Sequence, residues 1–268
     1  MRYLRSFHFS QEEVKNPNLY PYNSLRQQRG GQIVLDNITL LSGSNGSGKS
    51  TLLNVLANKL TLPGAEPPKA FGKVDFFQQY VRETQVTFEL DEGDGRDYLL
   101  PENSYYIKSE DILYEIKKIQ QEAILAEGYL YERKQLGMTK EQLARQRNSY
   151  QMQEQLARRQ FAQEKYSNGE TAMEIFHDYL VADGLYLLDE PEASLSHQNQ
   201  LKLAELIIEN ARYLNCQFII ATHSPFLLGT LGGTVYNLDE QLLTPSHWTD
   251  LPQIKSYQAF FKAHEAEF

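Results

Sequence analysis

A glycine-rich segment, GSNGSGKS from Gly43 to Ser50, carries the most specific chemistry in the chain. It fits the pattern G-x-x-x-x-G-K-[ST] and lies between an apolar strand pattern (ITLL) and a helix pattern (STLLNVLANKL). Glycines let backbone N–H groups close around phosphates, and the following helix N-terminus adds positive potential. We therefore predict that Lys49 reaches the β- and γ-phosphates of a nucleotide and that Ser50 offers its hydroxyl to Mg²⁺. The predicted nucleotide contacts are Gly43, Ser44, Asn45, Gly46, Ser47, Gly48, Lys49, Ser50 and Thr51.

Two adjacent carboxylates follow a second apolar run, LYLLDEP, which begins at Leu185. Open α/β sheets place their sites at the carboxyl ends of strands, where Asp189 and Glu190 would lie. The pattern predicts that Asp189 holds the Mg²⁺ shell and that Glu190 polarises an attacking water. The alternative is an acidic loop after a buried strand, and the phosphate-loop pattern favours the catalytic reading.

A histidine ends a third strand pattern, QFIIATHSP. His223 could sense a γ-phosphate, because imidazole gains or loses a proton near neutral pH. A histidine that only packs or faces solvent is the alternative, and the carboxylates predicted after another strand favour the functional reading.

The segment YSNGET, from Tyr166 to Thr171, has two readings. A turn of Ser, Asn and Gly commonly opens a helix. In the second reading, Ser167 and Gly169 form half of a site that another molecule completes, since a helix N-terminus attracts phosphate.

Together these segments resemble the ABC-type ATPases, with GSNGSGKS as the Walker A loop, LYLLDEP as the Walker B strand, ATHSP as the switch-histidine region and YSNGE as the signature. The signature departs from Leu-Ser-Gly-Gly-Gln/Glu at Tyr166 and Asn168. Within that class, the Ser-Pro after His223 resembles the soluble SMC/RecF-like branch and the bacterial proteins labelled "AAA family ATPase".

The resemblance implies ATP and Mg²⁺ as ligands and a homodimer, formed head to tail, in which each signature covers the other subunit's ATP. It also implies a glutamine at a strand end that meets Mg²⁺ and the attacking water. The run KVDFFQQYV offers Gln78, which we assign a catalytic and metal-binding role, with Gln79 as the alternative. Tyr20 or Tyr22 would stack on adenine unless these tyrosines belong to the core or the surface.

Composition limits the class of protein. The chain has 268 residues, 41% of them apolar, and a formal net charge of −9, which gives no support to a broad grip on nucleic acid or anionic lipid. The single cysteine, Cys216, cannot form an internal disulfide. No apolar run approaches the ~20 residues of a membrane span, and the N-terminus lacks a signal-peptide pattern. We expect a cytoplasmic protein.

The order of elements predicts an α/β fold, a P-loop NTPase of the ABC-ATPase type with a helical hairpin insertion. Residues 1–105 would form the first part of the core, 106–166 the insertion, and 167–268 the second part. From Ile112 to Leu130 apolar residues recur every three or four positions, as in a coiled-coil seam. The hairpin would either pack on itself and the core or dock a protein partner or DNA.

The predicted function is MgATP hydrolysis between two subunits, which drives a conformational change in a partner or a nucleic-acid-linked process of the repair or phage-defence type. The alternative is the ATPase subunit of a membrane transporter, but such subunits usually continue DEP with Thr-Ser-Ala-Leu-Asp, whereas this chain has Glu-Ala-Ser-Leu-Ser. A GTPase would need Asn-Lys-x-Asp, and the only Asn-Lys, in ANKLT, lacks the aspartate.

Overall fold

The computed structural model describes residues 2–16, 18–68, 70, 72–90, 99–119 and 168–268 of the protein. The strands are β1 (Leu4–His8), β2 (Gln32–Val34), β3 (Ile38–Ser42), β4 (Gln85–Phe88), β5 (Tyr105–Lys108), β6 (Leu185–Asp189), β7 (Gln217–Ala221), β8 (Thr234–Asn237) and β9 (Pro245–Ser246). The helices are α1 (Lys49–Lys59), α2 (Phe76–Glu83), α3 (residues 109–119), α4 (Asn168–Tyr179), α5 (His197–Tyr213), α6 (Pro225–Thr230) and α7 (Pro252–Ala263).

The main sheet has the strand order β5-β6-β7-β3-β8-β9. Neighbouring strands from β5 to β8 run parallel, and β9 pairs antiparallel with β8. Parallel strands end on the same edge of a sheet, so the segments after β3, β6 and β7 meet there. These are the three segments singled out for their chemistry, and the predicted α/β fold with a parallel sheet is confirmed.

Both faces of this sheet are covered. Leu188 and Phe218 point into a core that also contains Phe176 of α4 and Leu203 of α5. The alternate strand positions point into a second core, which contains residues of α1 and α2. The central strands are buried on both faces, which explains their continuous apolar sequences.

A smaller antiparallel sheet, β2-β1-β4, lies on the α1 side of the main sheet and was not predicted from the sequence. The fully buried Gln217 at the start of β7 connects the two sheets. Its Oε1 atom accepts hydrogen bonds from the N–H groups of Tyr3 and Leu4 at 2.8 Å, and its Nε2 atom donates to the carbonyls of Leu4 and Asp36 at 2.8 and 3.0 Å.

The predicted insertion is described only at its start. Strand β5 straddles the predicted boundary after residue 105 and pairs with β6 in the main sheet. Ile112 and Ile116, the first two positions of the predicted seam, are buried in the core shared with α4 and α5. Residues 120–167, which carry most of the predicted hairpin, lie outside the described residues. Across the parts of the chain that are described, no helix is long and apolar enough to span a bilayer.

Candidate nucleotide-binding site

The loop between β3 and α1 has a backbone that glycine adopts most easily. Gly48 caps α1 with a φ of 96°, in the left-handed region. A Cβ atom at this position would lie 2.8 Å from Leu25 Cδ2 and from the carbonyl oxygen of Ser24. Any other residue would therefore be strained and would collide with its neighbours. The loop has the turn that a phosphate-binding segment needs just before a helix N-terminus.

Lys49 begins α1, and its ammonium group lies against the loop that precedes it. The Nζ atom donates to the carbonyl oxygens of Gly43 at 3.0 Å and Ser44 at 3.2 Å. Burial lowers the pKa of Lys49, while the carboxylates of Glu190 and Asp189 oppose that shift. The carbonyl contacts are ones that a phosphate, as a charged acceptor, can replace with stronger hydrogen bonds.

The start of the loop is fixed by Asp239, which follows β8. Its Oδ2 atom accepts from the Ser44 N–H at 2.8 Å and its Oδ1 atom from the Ser44 hydroxyl at 2.7 Å. Sequence reasoning did not single out Asp239. The signal was available, because Asp239 is a carboxylate just beyond the strand pattern TVYN, at the sheet edge where sites form.

Asp189 lies at the end of β6 and links the loop helix to the neighbouring strand. Its Oδ1 atom accepts from the Ser50 hydroxyl at 3.0 Å, and its Oδ2 atom accepts from the Tyr106 hydroxyl at 3.1 Å. Burial raises the pKa of Asp189, and the hydrogen bonds from Ser50 and Tyr106 oppose that shift. Burial and the adjacent Asp189 charge also raise the pKa of Tyr106. Tyr106 was missed by sequence reasoning because it belongs to no motif.

The donor set around Asp189 suits Mg²⁺ that arrives with a nucleotide. Ser50 and Asp189 supply a hydroxyl and a carboxylate oxygen 3.0 Å apart. Within the described ranges, no group of three or more His, Cys, Asp or Glu residues could hold a metal ion by itself. Mg²⁺ is commonly bound by one or two protein oxygens together with substrate phosphates and water. These residues therefore fit Mg²⁺ as part of a nucleotide complex.

Glu190 has an unusual backbone for a residue other than glycine. Its φ is 48°, and its N–H donates to the Ala221 carbonyl of β7 at 2.9 Å. Its Oε1 atom lies 3.5 Å from Nε2 of His223, and the side chains of Glu190 and His223 are 41% and 31% exposed. Both groups are thus reachable by water at the edge of the sheet, unlike the buried Asp189.

The segment that contains His223 is held by Glu192, which sequence reasoning did not single out. The Oε1 atom of Glu192 accepts from the Thr222 hydroxyl at 2.7 Å, the His223 N–H at 2.7 Å and the Ser224 N–H at 3.1 Å. The His223 Nε2 atom is buried and has no hydrogen-bond partner among the described residues. Its approach to Oε1 of Glu190, at 3.5 Å, is longer than a typical hydrogen bond.

A cleft of about 280 Å³ opens beside Ser50 and Asp189. The residues that line it come from the loop helix, the ends of β5 and β6, and two connecting segments. They are Tyr20, Ser50, Thr51, Asn54, Glu66, Tyr106, Lys108, Ser109, Glu110, Asp189 and Glu190.

The fold therefore brings several predicted residues to one edge of the sheet, namely the loop from Gly43 to Ser50 with Thr51, and Asp189, Glu190 and His223. Ser167 lies outside the described residues, so its role stays a prediction. Gly169 lies in the first turn of α4, which begins at Asn168, close to the predicted helix start.

The resemblance implied a glutamine at a strand end. That expectation is wrong for Gln78 and Gln79, because both lie on α2. Asp75 caps this helix by accepting a hydrogen bond from the Gln78 N–H. The Gln79 side-chain amide donates a hydrogen bond to the Glu83 carboxylate. Helical spacing buries Phe77, Tyr80 and Val81 on one face. The strand that pairs with β6 on this side is β5, which ends at Lys108.

The two tyrosines proposed for adenine differ in their surroundings. Tyr22 is buried, its hydroxyl donates to Glu83 at 2.8 Å, and its ring packs edge-on against Tyr80. Tyr20 is 38% exposed, stacks on Phe77 and lines the cleft beside Ser50. Tyr22 thus belongs to the core, and a base contact stays a prediction for Tyr20.

Residues 72–229 match the family described as "AAA domain, putative AbiEii toxin, Type IV TA system". The match covers more than half of the chain, and the protein belongs to this family. The matched segment contains Asp189, Glu190 and His223, and the phosphate-binding loop precedes it. This family agrees with the part of the resemblance that pointed to the bacterial proteins labelled "AAA family ATPase". No curated protein matches the chain.

Several solved structures are similar over most of the chain. The SMC head domain from Thermotoga maritima is 15% identical, with 92% of this chain and 99% of that chain covered and a TM-score of 0.40. A nucleotide-free ATP-binding cassette from an ABC transporter is 15% identical, with 96% and 99% covered and a TM-score of 0.46. The dimeric, post-hydrolysis cassette MJ0796 bound to ADP and Pi is 13% identical, with 88% and 94% covered and a TM-score of 0.43.

Proposed function

We propose that this protein is an ATP-driven switch that binds and hydrolyses MgATP at the edge of its main sheet. The observation that carries the proposal is the hydrogen bond from Ser50 to Asp189, which joins the phosphate-loop helix to the carboxylate after β6. A loop match alone would predict phosphate binding. The added contact supplies the oxygen pair that a nucleotide-bound Mg²⁺ requires.

Binding depends on charge and on backbone donors. The N–H groups of the loop and the N-terminus of α1 attract the phosphates, and the ammonium group of Lys49 leaves its carbonyl partners for the β- and γ-phosphates. Asp239 keeps the first residues of the loop in place through Ser44. Ser50 and Asp189 would hold Mg²⁺, which, when bound, neutralises charge on the phosphates.

Hydrolysis requires a base and a group that recognises the γ-phosphate. Glu190 accepts a proton from the water whose oxygen attacks the γ-phosphorus, and the bond between that phosphorus and the ADP oxygen breaks. The products are ADP and inorganic phosphate. The Nε2 atom of His223 lies 3.5 Å from Oε1 of Glu190 and forms no hydrogen bond among the described residues. Its imidazole would contact the γ-phosphate or the departing phosphate.

The proposed cellular role depends on the pairing of two subunits. Two subunits bound head to tail would each place Ser167 and Gly169 against the other's ATP, so that nucleotide binding favours the dimer by linkage. The family description names toxin–antitoxin systems, which supports a cytoplasmic role in defence. In that role, the ATP cycle would change the state of a protein partner or of DNA bound through residues 106–166.

Titration calorimetry and a phosphate-release assay test this function. Lys49→Ala should abolish tight MgATP binding, because the loop loses its cationic side chain. Glu190→Gln should retain binding while phosphate release falls ~100-fold or more, as expected when a general base is lost. Glu205→Gln, an exposed change on α5, serves as the control. Undiminished affinity in Lys49→Ala would exclude the phosphate-loop assignment.

A further inference from the structure

Lys108 stands where β5 ends, directly beside Asp189. The two residues are register partners in the parallel pair β5–β6. Its neighbour on the same face, Tyr106, donates to Asp189, and the Lys108 ammonium group lies 5.9 Å from the centre of the Tyr106 ring. The ammonium group and the predicted Mg²⁺ ligand therefore share one face of the sheet and one cleft.

The present partners of this ammonium group are carboxylates at the margin of the cleft. Lys108 Nζ lies 2.5 Å from Glu66 Oε1 and 3.8 Å from Asp111 Oδ1. The Lys108 side chain is only 13% exposed, whereas the Glu66 side chain is 72% exposed. An ion pair with a largely solvated carboxylate adds little stability, so a more highly charged ligand can displace Glu66.

The charges around the cleft also favour a phosphate ligand. Its lining includes the carboxylates of Glu66, Glu110, Asp189 and Glu190. Lys108 is the only lysine or arginine among the described residues that line it. A terminal phosphate that enters beside Asp189 and Glu190 meets like charges, and Lys108 would offset their repulsion in addition to Lys49 and Mg²⁺.

We propose that Lys108 is a phosphate-binding residue of the nucleotide site, which exchanges Glu66 for the γ-phosphate when MgATP binds. The proposal rests on the proposed ATPase function. It assigns a cation at the end of β5 to the site for which the sequence analysis proposed Gln78 or Gln79. A lysine there would sense the charge of the third phosphate, so it would distinguish ATP from ADP.

Calorimetry with a non-hydrolysable ATP analogue and with ADP, both with Mg²⁺, tests the contact. Lys108→Met should lower affinity for the analogue about tenfold or more, as for loss of a charge-assisted hydrogen bond, and affinity for ADP less than about threefold. Lys108→Arg should recover most of the analogue affinity. Lys255→Met, an exposed change on α7, is the matched control and should alter neither.

If Lys108→Met folds poorly, the single variant Glu66→Gln still tests the exchange, because it retains Lys108 and should not change the affinity for ADP. Glu66→Gln removes the competing carboxylate and should raise analogue affinity severalfold. In the double variant with Lys108→Met that gain should vanish, because the two residues are coupled. Equal effects on both nucleotides, or a gain that persists without Lys108, would overturn the role of Lys108 while the ATPase function stands. A wild-type protein that binds neither nucleotide would overturn both.

Discussion

Glu192 connects the segment after β6 to the segment after β7. One carboxylate oxygen accepts hydrogen bonds from the hydroxyl of Thr222 and from the N–H groups of His223 and Ser224. Charge-assisted hydrogen bonds of this kind are stronger than neutral ones. We therefore regard Glu192 as a positioning residue, which sets where His223 lies relative to Glu190.

Glu192→Ala should remove the acceptor of the Thr222 hydroxyl and the His223 N–H, and should allow the His223 segment to move. The Ser224 N–H keeps its bond to the Thr222 hydroxyl. We expect a loss of about 1–3 kcal/mol in the free energy of unfolding and a fall in phosphate release that exceeds any change in MgATP affinity. Thermal unfolding and kinetics measure the two effects. The matched control is Glu205→Ala on the exposed side of α5. If release stays at the wild-type rate, Glu192 has a structural role alone.

At this scale, sequence reasoning identified residues that belong to short contiguous patterns. The glycine loop, Asp189, Glu190 and His223 each follow a recognisable strand. Tyr106, Lys108 and Asp239 act through contacts between segments that are distant in sequence, and a single sequence does not specify which strands become neighbours. The expected strand end at Gln78 was wrong, since the segment is helical, and the role of Gln78 stays a prediction.

Among the elements, the start of β7 and the start of β1 are joined by one side chain. Gln217 is fully buried and forms four hydrogen bonds to backbone groups of Tyr3, Leu4 and Asp36. This contact attaches the smaller sheet to the main sheet without any strand pairing between them. Apolar packing against α1 and α2 completes the attachment.

Gln217→Leu keeps a similar side-chain volume but removes the four hydrogen bonds that Gln217 makes to buried backbone groups. We expect the free energy of unfolding to fall by about 3 kcal/mol or more, since each unsatisfied group costs about 1–3 kcal/mol. Chemical denaturation followed by circular dichroism measures this loss. Gln198→Leu, at an exposed position of α5, should change stability by less than about 0.5 kcal/mol. Equal stability of the two variants would contradict the role of Gln217.

Element prediction succeeded where the strands are long and buried on both faces. The patterns ITLLS, LYLLD and QFIIA gave the central strands, because continuous apolar runs are typical of a covered parallel sheet. Strand β5 was missed, although its run YYIK is typical of a strand. The segment of α2 was expected to end a strand because the family resemblance implied one there, but Asp75 caps a helix whose buried face carries Phe77, Tyr80 and Val81.

For the whole molecule, the proposed dimer predicts a nucleotide-dependent mass. Glu190→Gln should stay bound to MgATP because hydrolysis is slow, and light scattering should then report a dimer. Adding Ser167→Arg should restore the monomer, since a bulky side chain would block the partner's ATP without changing the subunit's own loop. The same double variant should still bind MgATP by calorimetry. A Glu190→Gln protein that remains monomeric at high concentration with MgATP would argue against a shared site.

The left-handed backbone conformation of Glu190 would affect which residues a selection for thermal stability favours at this position. A φ of 48° is unfavourable for glutamate and comfortable for glycine or asparagine. A laboratory selection for survival at high temperature alone would thus enrich glycine or asparagine at position 190. The enriched variants would unfold at a higher temperature and would lack the proposed general base. Selection for thermostability and selection for turnover would therefore oppose each other at this single position.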